Sequence, residues 1–122
     1  MKIRIKGNAL RYRLTRTDVS LLAREGYLEE ESHFPGGTLI YAIQMAEAGL
    51  LTADFVTGKI TLIMPKPMVE ELITTDKVGF SSRDGDMELL VEKDFTCLDN
   101  VQEDQSDHYP NPLAAKGYEQ SK

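Results

Sequence analysis

Five basic residues alternate near the start of the chain: Lys2, Arg4 and Lys6 on one segment, Arg11 and Arg13 on the next. Period-two spacing puts each set on one side of a strand. Gly7-Asn8 between them suits a two-residue turn with positive φ, which pairs Lys6 with Ala9, Ile5 with Leu10 and Ile3 with Tyr12. In that register Arg4 faces Arg11 and Lys2 faces Arg13, and each like-charged pair costs up to about 1 kcal/mol. Solvation of the splayed side chains, carboxylates from a neighbouring strand or a bound anion could offset that cost. Tyr27, Glu29 and Glu31 alternate so that two carboxylates lie on the outer face with Leu28 inward, which makes Glu29 and Glu31 candidates for the neighbouring carboxylates. The third possibility makes Lys2, Arg4, Lys6, Arg11 and Arg13 a binding surface for a small anionic ligand or an acidic protein partner.

Other chemistry is thinly represented. No phosphate-cradling glycine loop, nucleophile elbow or helical pair of metal-binding histidines is present. Cys97 and His108 could form a nucleophile and base, or two zinc ligands with His33 as a third. Burial of Cys97 as a small hydrophobe is the simpler reading. Asp99, Asp104 and Asp107 could gather a hard cation, although their spacing misses the twelve-residue calcium loop and its glycine. No catalytic residue and no cofactor follows from these patterns.

The elements that must position the basic residues repeat along the chain. After the first hairpin, Thr15 is a helix N-cap with Asp18 in the first turn; Val19, Leu22 and Ala23 follow helical spacing and Gly26 stops the helix. An acidic strand from Tyr27 to His33, a Pro35-Gly36-Gly37 turn and a strand with Leu39, Tyr41, Ile43 and Met45 inward complete one unit. From Leu51 the order recurs. Leu51, Ala53 and Phe55 alternate, Thr57-Gly58 turns, and Ile60, Leu62 and Met64 answer. Pro65 and Pro67 open a helix burying Met68, Val69, Leu72 and Ile73. Val78 and Phe80, an Arg83-Asp84-Gly85-Asp86 turn, and Leu89 with Val91 close the second unit.

The offset is fifty, matching Leu10 with Ile60, Val19 with Val69 and Leu39 with Leu89. At the same offset Arg4 and Arg11 match Asp54 and Thr61, so the basic face belongs to the first unit alone. The expected fold is α+β and mainly antiparallel β, two ββαββ repeats with two helices forming a sheet or a barrel. The expected organisation is one α+β domain over residues 1–95, with repeats at 1–46 and 51–95, and an acidic, proline-containing irregular tail over 96–122. That tail could fold back and lay Glu103, Asp104 and Asp107 on the basic hairpin.

A chain of 122 residues buries roughly two-thirds of its unfolded surface, so folding requires no metal or disulfide. The net charge of −6 conceals an asymmetry: six of the 14 basic residues and none of the 20 acidic ones lie before Thr17. Excess acid elsewhere argues against duplex nucleic acid as a partner. One cysteine excludes an internal disulfide framework, and no apolar run has membrane-spanning length. The expected setting is cytoplasmic. A homodimer through a free sheet edge is a further expectation.

The opening MKIRIKGN and RYRLTRTDV, with VEKDFTCLDN and EDQSDHYPNP towards the end, resembles a family of small uncharacterised bacterial proteins carrying both signatures. That resemblance covers most of the chain and implies a bacterial, cytosolic setting with no assigned activity. In architecture the pattern is similar to the triphosphate tunnel phosphohydrolases, which close eight antiparallel strands around charged side chains. That likeness implies metal-dependent hydrolysis of nucleotides or polyphosphate, with Glu29, Glu31, Glu88 or Glu92 as acidic partners. Their first strand, however, carries an alternating acidic triplet ending in lysine, where this chain has Lys2, Arg4 and Lys6.

Overall fold

The computed structural model describes residues 1–95. The segment 96–122, with Cys97, His108, Glu103 and the Asp99, Asp104 and Asp107 group, lies outside the described residues. In chain order the elements are β1 (Lys2–Lys6), β2 (Ala9–Leu14), α1 (Arg16–Glu25), β3 (Tyr27–Phe34), β4 (Gly37–Ala46), β5 (Thr52–Val56), β6 (Lys59–Pro65), α2 (Lys66–Thr74), β7 (Gly79–Asp84) and β8 (Met87–Lys93). They form two four-stranded sheets, β1-β2-β8-β7 and β3-β4-β6-β5. The fold is α+β with mainly antiparallel strands. The central pair of each sheet, β2 with β8 and β4 with β6, is parallel.

Local chemistry explains most of the elements. Gly7 takes φ of 56°, and the β1–β2 register is Lys6 with Ala9, Ile5 with Leu10, Arg4 with Arg11, Ile3 with Tyr12 and Lys2 with Arg13. Thr15 caps α1 reciprocally: its hydroxyl accepts from the Asp18 amide, and its own amide donates to the Asp18 carboxylate at 2.9 Å. Gly26 ends the helix in the left-handed conformation, at φ 78°. Pro65 stands at the N-cap of α2 and Pro67 within its first turn, where a missing donor costs nothing.

Three edges differ from the sequence expectation. Val78 precedes β7 and is exposed, and β7 continues to Asp84, so only Gly85-Asp86 turns the chain. Ile73 is half exposed: Val69 and Leu72 alone bury fully, and α2 presents a narrower apolar stripe. Phe55 is exposed as well, at the end of the short edge strand β5.

The two sheets face each other over one core drawn from both and from both helices. Leu10, Tyr12 and Leu14 of β2 and Leu89 and Val91 of β8 meet Ile43 of β4 and Leu62 and Met64 of β6, with Val19, Leu22, Val69 and Leu72 from the helices. The Tyr12 hydroxyl crosses between the sheets, donating to the Ala42 carbonyl at 2.9 Å and lying 3.4 Å from that of Ile60. Burial pushes this phenol far above its ordinary pKa, so it stays a donor.

At the sheet edges, polar contacts stand in for backbone pairing. Asp84 of β7 accepts from the Ala53 amide of β5 at 3.1 Å. Across the other seam, the Met1 α-amino group sits 2.9 Å from Asp18 and 3.1 Å from Glu30 of β3, which also accepts from Tyr41. Burial works to raise the Asp18 carboxyl, but the hydrogen bonds from Thr15 and the adjacent ammonium outweigh it and hold it below its ordinary 3.8. A depressed folded-state value contributes stability above the unfolded value and loses it as the pH falls through the folded one. Asp18→Asn is therefore expected to cost about 1 kcal/mol at pH 7, a gap that narrows below about pH 4. Urea unfolding of both proteins at several pH values measures it; a gap independent of pH would show that the charge plays no part.

Matched at an offset of fifty, the four hairpins keep equivalent internal registers: Lys2 with Arg13 against Thr52 with Ile63, Phe34 with Gly37 against Asp84 with Met87. Each sheet joins the first hairpin of one half to the second hairpin of the other. The halves are not equivalent across that junction. Leu10 lies beside Leu89, but its counterpart Ile60 lies beside Tyr41 rather than Leu39, a slip of two residues. An even slip keeps every side chain on its own face, so the core tolerates it.

Candidate anion-binding face

Register places the outward side chains of the first sheet in three rows. Lys6, Ala9, Glu88 and Arg83 form the row nearest the turns; Arg4, Arg11, Leu90 and Ser81 form the middle one; Lys2, Arg13, Glu92 and Gly79 form the third. All five basic residues singled out in the sequence thus share one face, and Arg4 stands directly across from Arg11.

Their counter-charges come from β8, not from β3. Glu92, only 20% exposed, lies 3.1 Å from Arg13 Nε and 3.6 Å from Arg11 Nε. Lys2 Nζ is 3.1 Å from Asp94, just beyond the end of β8. Glu29 and Glu31 belong to the outer face of the other sheet, where Glu29 accepts from Tyr27 at 2.6 Å and lies 3.9 Å from Lys59. Glu88 lies 3.4 Å from Arg83, a residue of the same hairpin. The third row is therefore internally balanced. Among the described residues, Arg4 and Lys6 have no carboxylate within salt-bridge distance.

A groove of about 1020 Å³ opens over this unbalanced part of the face. Arg4, Lys6 and Arg11 line one side and Ser81 and Arg83 the other, with Leu90 and the Arg83-paired Glu88 between them. Ser81 and Arg83 were not recognisable from the sequence as part of a site. Alternation of Gly79, Ser81 and Arg83 marks one side of a strand, but nothing local says that β7 lies two strands from β2.

The tunnel comparison fails on placement: apolar side chains fill the space between the sheets, and the cations stand outside it. Among the described residues no group of three histidines, cysteines or acids is arranged to hold a metal ion. Nor is any described helix long and apolar enough to cross a membrane.

A family model described as "Family of unknown function (DUF7009)" matches residues 1–113. The chain belongs to that family. None of the curated proteins matches it. Membership in DUF7009 supplies no activity to carry over, so the chemistry of the face has to be argued from its own residues. The match extends beyond β8 to residue 113, so the DUF7009 pattern takes in part of the acidic segment as well as the two sheets.

Proposed function

We propose that this DUF7009 protein is a binding domain whose basic sheet face receives an anion, either a small ligand or the acidic surface of a protein partner. The supporting observation is the pairing of Arg4 with Arg11 in a groove where, among the described residues, Arg4 and Lys6 lack a carboxylate partner. Two arginines directly across a strand pair repel each other, and an anion bound by both converts that repulsion into charge-assisted hydrogen bonds. Arginine suits the task because its planar fork binds carboxylate and phosphate in bidentate fashion. The opposite half offers Asp54 and Thr61 at the corresponding positions, so the fold does not require the cations.

Thermal unfolding in the presence of inorganic phosphate, pyrophosphate, tripolyphosphate and an oligoglutamate peptide tests the reading. A ligand that binds only the folded chain stabilises it by about 2.7 kcal/mol at a hundredfold excess over its dissociation constant. At least one of these anions is expected to raise the midpoint of the native chain and to leave Arg4→Gln/Arg11→Gln unmoved. No shift with any anion, or equal shifts in both proteins, overturns it.

A further inference from the structure

The face is selective about what kind of anion it can hold, and this inference rests on the anion-binding reading above. Among the described residues the cations without a carboxylate at salt-bridge distance, Arg4 and Lys6, are clustered, not strung along the sheet, and Arg11 beside them shares Glu92 with Arg13. Arg4 and Lys6 are two residues apart on β1, about 6.6 Å between Cα atoms, and Arg11 is directly across from Arg4, at about 5 Å. Lys2 and Arg13, which would have extended the charge down the strands, are taken up by Asp94 and Glu92. An acidic peptide laid along the strands would meet a balanced row after one step.

Across the strands the groove continues instead. From Arg4 through Arg11 and Leu90 to Ser81 the middle row spans three strand spacings, about 14 Å, with the Ser81 hydroxyl and Arg83 at the far side. A single tetrahedral anion between Arg4 and Arg11 leaves Ser81 and Arg83 without contact, whereas a short chain of linked phosphates can meet both sides.

The outward rows of this sheet contain no aromatic residue. Among the described residues of this face a nucleobase would find nothing on which to stack, and stacking supplies much of the affinity of base-binding surfaces. We infer that the groove takes a short inorganic oligophosphate, held at one end by Arg4, Lys6 and Arg11 and at the other by Ser81 and by Arg83, an exposed side chain that exchanges its 3.4 Å contact with Glu88 for the phosphate. A nucleoside attached to that chain adds nothing to its affinity.

Calorimetric titration of the full chain with phosphate, tripolyphosphate, ATP and oligoglutamate distinguishes the cases. Tripolyphosphate is expected to bind at least tenfold tighter than phosphate and no weaker than ATP, and Arg4→Gln/Arg11→Gln is expected to weaken it at least tenfold. Arg83→Gln, on an exposed strand position, should weaken tripolyphosphate severalfold and leave phosphate unchanged. ATP binding tenfold tighter than tripolyphosphate, or oligoglutamate tighter than both, overturns the ligand class while the anion-binding reading stands. Absence of binding by every anion overturns both.

Discussion

Replacing Tyr12 by alanine is expected to cost about 4 kcal/mol of folding stability, a large part of the 5–15 kcal/mol available to a domain of this size. The ring is fully buried at the centre of the core, and its hydroxyl donates to Ala42 in the opposite sheet. Removing it opens a cavity bounded by β2, β4, β6 and β8, none of which can collapse without breaking sheet pairing. Tyr12→Phe separates the two contributions. It keeps the ring and leaves the Ala42 carbonyl without its side-chain donor, for an expected loss of about 1–2 kcal/mol. Equilibrium urea unfolding of the three proteins gives the comparison. A phenylalanine variant as stable as the native chain would show that the bridge between the sheets contributes nothing net.

The second large effect is expected at Glu92, where stability and binding should move in opposite directions. Its carboxylate is the partly buried, shared counter-charge of Arg11 and Arg13. Glu92→Gln should destabilise the fold by about 2 kcal/mol in low salt, since a charge-assisted hydrogen bond contributes about 1.5–3 kcal/mol. The deficit should shrink in high salt as the arginines are screened from one another. The same change releases Arg11 and Arg13 towards the groove, so tripolyphosphate should raise the unfolding midpoint by more than in the native chain. Unchanged stability in low salt, or a smaller gain from tripolyphosphate, would show that Glu92 is not the internal counter-ion.

These two residues mark the boundary of what the sequence could reveal. The β1–β2 hairpin was legible residue by residue because Gly7-Asn8 fixes its register and the apolar and basic sets alternate around it. The α1 cap was equally plain, because Thr15 and Asp18 act within a single turn. Glu92 as the partner of Arg13 was not legible, because β2 and β8 are far apart in the chain and parallel pairing leaves no local signature. Without that neighbour, Glu29 and Glu31 were the reasonable source of counter-charge, and Lys2 and Arg13 could not be told apart from Arg4 and Lys6. Candidate residues could be named from the sequence, but the division into a balanced row and an unbalanced groove came only with the sheet order.

The exchange of hairpins between the halves also governs how the molecule is made. Neither sheet can be completed by one half, because β2 needs β8 and β4 needs β6. A nascent chain that has emerged as far as Ala46 has four strands and one helix but no finished sheet, and its basic hairpin has no Glu92 beside it. Contacts so distant in sequence are slow to form, because a long loop must close before they contribute. Until Lys93 has left the ribosome, the apolar sides of β2 and β4 stand open to other chains, which makes synthesis the stage at which this architecture is most vulnerable to misassembly.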